Sequence, residues 1–414
     1  MDERRRVVIT GMGTVNACIA GGTDAVAGAL AAARSAIAPV QSFAVDGCPS
    51  RLAAEVGAAT LASLVDRAAA RRLSRICQLA VAACRLAVDD ARIEGGVGLG
   101  IVVGTEHGDF RSSEEFAAGF LRRGPSGLSP MIFPNTVMNT MGAAAAIAVG
   151  AKGPSVTMNQ ATLAGDLAVA RAAAMVLTGR AEAMVAGGVD ELCGIVYRQL
   201  AQMRALSPMG SGGREGCRPY AADHNGPVLG EGATFLVLED LAAARARGAT
   251  IHGEVLGAAW SNVPVAPHTA PRARPDGNSP VRRLLGGLGL APGSLRLRYG
   301  SGNGDPDVDD WEIALLARDV GDGHDGSEPP RSLAPLFGQH GGLGGLRVAA
   351  AALDAQRGTA PVLVHGIARG GCRTALVIGA PDRGRYAGAD RASRLEAAAP
   401  ERAASERPEP GQAV

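Results

Sequence analysis

A chain of 414 residues, 47% hydrophobic and 20% charged, is long enough for a large buried core and for two domains or one duplicated one, and its composition excludes global disorder. A formal net charge of +1 supplies no field for nucleic acid or for cationic ligands, and no run of about 18 apolar residues is present to span a membrane. Seven scattered cysteines without a CxxC pair predict reduced thiols in a cytoplasmic protein, and the charged start MDERRRVVITGMG lacks the apolar core of a signal peptide.

Short β-branched runs alternate with long Ala/Leu/Arg stretches, the pattern of an α/β fold. Residues 7–10 read as a strand ending in Gly11-Met12-Gly13, and residues 60–93 as helix, with Leu64, Ala68, Ile76, Leu79, Ala83 and Leu86 three or four apart. A buried strand follows at 98–105. Residues 156–159 form a strand that enters a helix at 163–178, 183–189 a strand with a Gly pair, and 234–239 the last strand of the first half. Strands at 252–256, 295–299, 362–366 and 374–378 make a second half. Both halves run a strand into a Gly-rich turn and an Ala-rich helix, which supports an internal duplication with halves 1–250 and 251–380. Residues 381–414, rich in Pro, Gly, Arg and Glu, read as a disordered tail.

Several motifs then occur in a fixed order: residues 9–13 (ITGMG), 71–80 (RRLSRICQLA), 133–139 (FPNTVMN), 186–191 (AGGVDE), 219–223 (PYAAD) and 230–239 (GEGATFLVLE). Together they resemble the β-ketoacyl synthases over roughly residues 5 to 380. The resemblance implies the thiolase-like fold, an αβαβα sandwich of two duplicated βαβ halves, usually dimeric. It also implies a decarboxylative condensation on a thiolate nucleophile, with backbone N–H groups for the tetrahedral charge, two imidazoles and a lysine.

The positions that match those groups hold other residues. Thr162 stands where the nucleophilic cysteine belongs, in QATLAG; a hydroxyl there needs an adjacent base, and packing or helix capping is the favoured role. Tyr299 replaces the first histidine, before a Gly-Ser-Gly-Asn loop about two residues short, as an aromatic filler or a weak donor. Ala334 replaces the lysine and Gln339 the second histidine; His340 comes one residue late and points elsewhere on a turn entering a helix. In residues 365–373 (HGIARGGCR) both gating phenylalanines are gone, leaving Ile367 and Arg369 at the gate, with Cys372 a small buried hydrophobe. Glu231 and Asp305 match acids near the family's site and read as loop support, since the lysine is missing.

Four losses in three separately anchored motifs predict an inactive site. The resemblance narrows to the chain-length factor, the β subunit of type II polyketide and polyene systems, which pairs with an active ketosynthase α subunit and shapes the acyl tunnel. That branch often carries Gln at the cysteine position; here Gln160 lies two residues earlier. Phe110, Ser113, Phe116, Phe120 and Phe133 are tunnel candidates, with packing into their own helix core the competing role. Strand 156–159 is expected to pair across a dimer axis. The implied partners are the active ketosynthase (a homodimer if alone) and a phosphopantetheinyl acyl carrier protein, with no metal, no other cofactor and no nucleic acid. Alternatives are an acyltransferase using Thr162 or His340, a malonyl-carrier decarboxylase, and a free-standing binder of carrier protein or acyl chains.

Overall fold

The first strand explains the glycines of the opening motif. It runs from Val7 to Asn16 (β1), through Gly11-Met12-Gly13 rather than turning there, with a register shift between Ile9 and Gly11. A Cβ on Gly13 would stand 2.2 Å from the Ala83 carbonyl oxygen, so glycine lets a helix lie directly on the strand. That helix is Arg75–Ala91 (α1). The helical stretch expected over residues 60–93 is broken: Ala58–Leu64 and Arg67–Ala70 are separate helices, because Asp66 caps a new start by accepting from the Ala68 and Ala69 N–H groups, and Ser74 is the N-cap residue of α1.

The computed structural model describes residues 5–209, 213–266, 269–270, 279–295, 297–321, 329–358 and 360–381; the tail expected from 381 onward lies, apart from Pro381, outside them. The remaining principal strands are β2 (Leu99–Thr105), β3 (Ser155–Asn159), β4 (Ala183–Asp190), β5 (Gly232–Asp240), β6 (Gly253–Asn262), β7 (Leu297–Tyr299), β8 (Val362–Ile367) and β9 (Cys372–Gly379). Their order is β7-β8-β9-β6-β1-β5-β4-β2-β3. β2 pairs parallel with β3 and β4, β7 pairs parallel with β8, and the remaining pairs are antiparallel. The first-half and second-half strands join where Val7–Ile9 of β1 meets Gly253–Val255 of β6.

The other principal helices are α2 (Phe110–Arg123), α3 (Thr140–Val149), α4 (Ala164–Leu177), α5 (Pro280–Leu288), α6 (Pro306–Val320) and α7 (Leu343–Arg357). α4 and α7 form the middle layer. Their Ala-rich surfaces pack against Met184, Leu236 and Leu238 of the first-half strands and against Val362, Val364, Leu376 and Ile378 of the second. α1 covers the outer face of the first group, and α5 and α6 that of the second. The result is the predicted αβαβα sandwich. Both central helices begin at the same place: a Cβ on Gly344 would meet the Asp166 N at 2.3 Å, so only small residues let the two N-termini touch.

Buried between these helices is one ion pair. Arg347 of α7, 1% exposed, donates from Nε to Asp166 Oδ1 of α4 at 3.3 Å, and from Nη2 to Oδ2; Asp166 is fully buried. Burial pushes the Asp166 carboxyl above its usual range, with Arg347 opposing.

Candidate functional site

The meeting of the two helix starts, at the carboxyl ends of β2 and β3, is where an open α/β sheet gathers its chemistry. The turn between β3 and α4 holds Thr162 at φ +58°, a left-handed conformation unusual for a β-branched residue. Its N–H donates to Glu106 Oε2 at 2.9 Å. Among the described residues no histidine or carboxylate accepts a hydrogen bond from its hydroxyl, and it does not cap α4, whose start has no side-chain cap. The adjacent Leu163 is fully buried with Leu167, Ala368 and Cys372, and would stand 2.5 Å from a Cβ on Gly366. Burial pushes the Cys372 thiol up to about 12, so it supplies no thiolate near neutral pH. Gln160 precedes this turn and donates its backbone N–H to the Thr105 carbonyl.

The second strand-to-helix connection supplies Gln339 and His340. Gln339 is tied by its backbone to Val228 and Gly230, and its amide oxygen and nitrogen are buried without a hydrogen-bond partner among the described residues. His340 is buried and turns back on its own helix: Nδ1 accepts from the Gly342 N–H at 3.1 Å, which leaves the proton on Nε2. Burial, reinforced by Arg347, lowers its pKa to about 3, so it is neutral at physiological pH.

The other two matching positions are core residues. Tyr299 is packed in the central core, and its hydroxyl donates to Asp354 Oδ2 at 2.7 Å, far along α7 from the helix start. Ala334 is core as well. Ile367 packs against Val308, Trp311 and Leu315 of α6, and its N–H donates to Ser301 Oγ at 2.7 Å. Arg369 is ion-paired with Asp305 and Asp307, clasping the loop that precedes α6.

The two acids read as loop support have cations of their own. Glu231 binds Arg75 of α1 (Nε to Oε2 2.8 Å) and also accepts from the Val56 and Leu192 N–H groups; Asp305 has Arg369. The lysine's absence leaves neither without a cation, because guanidinium groups from other elements reach them.

Sequence reasoning missed Glu106 and the role of Asp190. Asp190 accepts from the Thr105 hydroxyl and from the N–H groups of Glu106, His107 and Gly341, fixing the β2–α2 loop against the start of α7. The available signal was an acid placed directly after the buried run 98–105, at a strand's carboxyl end.

Next to it, Glu191 accepts from the Arg111 N–H at 3.1 Å, at the start of α2. Burial first, and Asp109 second, raise its pKa to about 8. The unfolded chain loses this proton in the ordinary carboxylate range, whereas the native state keeps it until about pH 8. Glu191 therefore stabilises the fold most below that range, and the contribution is lost as pH rises toward 8. Glu191→Gln should flatten the fall of Tm between pH 5 and 8 in thermal melts; an unchanged slope would contradict the assignment.

The tunnel candidates do not gather around one pocket. Phe116 packs on Phe133 with ring centroids 5.8 Å apart, and borders a cavity of about 470 Å³ whose other walls include Glu115, Arg122 and Arg123. Phe110, Phe120 and Phe133 lie at the surface, Phe133 at 57% exposure, and the Ser113 hydroxyl donates to the Asp109 carbonyl. Among the described residues no helix is long and apolar enough to cross a membrane.

The layers, the paired helix starts and the strained turn define a thiolase-like condensing-enzyme fold. The sequence profile of the β-ketoacyl synthase N-terminal domain matches residues 4–244, and this chain belongs to that family. It is 33% identical over 328 residues to 3-oxoacyl-[acyl-carrier-protein] synthase 2 of Synechocystis sp., covering 77% of this chain and 78% of that protein. Its fold superposes on the ishigamide ketosynthase/chain length factor with a TM-score of 0.80 at 26% identity, covering 91% of this chain and 99% of that one. A type II polyketide synthase acyl carrier protein in complex with its ketosynthase gives 0.76 at 19% identity, covering 91% and 100%, a likeness of fold.

Proposed function

We propose that this chain is a chain-length-factor-type β subunit: it pairs with a cysteine-bearing ketosynthase, completes the dimer and helps shape the acyl tunnel, while carrying no condensing activity. The observation that carries this reading is the Thr162 turn, a family framework whose reactive position has a hydroxyl with no base among the described residues and an N–H already bound to a carboxylate. Likeness to a solved ketosynthase/chain length factor supports it.

The surface supports pairing. β3 ends the sheet, with β2 on one side and no partner strand on the other among the described residues. Such an edge is a template for a second chain. Close to it in sequence lie Met131, Phe133, Val137 and Met138, and on α3 Ile147, all exposed, Met131 at 86% and Ile147 at 83%. A carrier protein bearing a phosphopantetheinyl arm would deliver substrate to the pair.

An acyltransferase on Thr162 or His340 is disfavoured, since one has no base among the described residues and the other is buried, neutral and turned onto the Gly342 N–H. The Gln339 amide, without a partner among the described residues, favours a decarboxylase, which needs a donor for an enolate but no nucleophile. Co-expression with a cysteine-bearing ketosynthase, read by native mass spectrometry, should give a stable 1:1 complex. A soluble homodimer that ignores the partner would contradict the reading.

A further inference from the structure

We infer that Glu106 is a built-in plug, an autoinhibitory carboxylate that occupies the reactive turn and suppresses nucleophilic or anionic chemistry there, independently of the missing thiol. Its Oε2 accepts the Thr162 N–H at 2.9 Å. That N–H lies at a left-handed turn directly before α4, where backbone donors and the helix dipole favour negative charge. An acyl transfer at this position develops an oxyanion, and a donor already bound to a carboxylate is not available to it. The carboxylate also adds a negative charge beside the side chain of residue 162, which disfavours its ionisation.

The plug is held rather than resting by chance on the surface. Glu106 donates its own N–H to both oxygens of Asp190 at 3.0 and 3.2 Å, and its carbonyl accepts from Asn159 Nδ2 at 2.7 Å. The backbone on either side is pinned as well, by the Thr105 hydroxyl and the His107 N–H on Asp190. Fixing the backbone at three points limits the entropy lost when the side chain docks. The Thr162 conformation, strained for a β-branched residue, is thus stabilised from outside the turn.

The inference rests on reading Thr162 as the family's acyl-acceptor position, and is independent of the pairing proposed above. A thiol reports on it directly. The full-length chain carrying T162C, T162C/E106Q or T162C/E106A is treated with iodoacetamide, and alkylation is timed on the peptide containing residue 162 by mass spectrometry, which separates it from the seven native cysteines. With Glu106 present the thiol should react slowly. Both double variants should react at least about tenfold faster at pH 7, with the rate–pH midpoint displaced downward, as a thiolate freed of a neighbouring carboxylate would behave. E106Q keeps the bulk and hydrogen-bonding capacity, so its agreement with E106A assigns the effect to charge. Rates within about twofold across all three proteins would overturn the plug and leave the pairing untouched. Failure of the 1:1 complex would remove the pairing and leave the plug standing.

Discussion

Arg347→Met should destabilise the protein by about 3–5 kcal/mol, read from the denaturant midpoint, because it strips the partner from a fully buried carboxylate. Asp166→Leu should cost a similar amount by leaving the guanidinium of Arg347, itself 1% exposed, without its carboxylate. The double variant D166L/R347M should return to within about 1–2 kcal/mol of the parent, since well-packed apolar residues of similar volume replace a buried ion pair at little cost. The two groups lie at the start of the helices that form the middle layer, where glycine contacts let the backbones touch, and both are buried. Additive losses in the double variant would mean that each side chain is held by other groups and that the pair is not the unit.

Pairing carries the second large effect. Phe133→Asp combined with Met138→Asp should weaken association with a ketosynthase partner by at least about 100-fold, measured by analytical ultracentrifugation, while the isolated chain loses only the Phe116–Phe133 ring contact, about 1 kcal/mol. Both side chains are exposed in the isolated chain, Phe133 at 57% and Met138 at 37%, so their replacement removes little from its own core. In a complex closed over the β3 edge they would be buried, and an unpaired carboxylate there is costly. Unchanged affinity would place the interface elsewhere.

Much of the architecture was legible because it follows from pattern. Runs such as 98–105 are buried on both faces, and the Ala-rich stretches pack in the middle layer, so apolar runs and small residues marked them. Helix breaks were less legible: Asp66 and Ser74 restart helices inside a stretch whose apolar spacing continues across the gaps. The opening glycines looked like a turn because sequence does not show that α1 lies on them.

At the site, the QATLAG motif marks the turn that holds Thr162. Its occupant has no such mark, since Glu106 is 56 residues earlier and sequence carries no sign of which N–H a carboxylate will find. Two motifs far apart in sequence, RRLSRICQLA and the Gly-Glu-Gly segment, meet in one contact, Arg75 on Glu231. Tyr299 shows the opposite limit: it occupies the motif position of a catalytic histidine, yet its hydroxyl reaches Asp354 and the core.

The most direct test loads the complex of this chain with a cysteine-bearing ketosynthase using an acyl carrier protein charged with an acyl chain, and weighs each subunit intact. The partner should carry the added mass of one acyl group and this chain none. An acyl adduct on this chain that maps to Thr162 would contradict it.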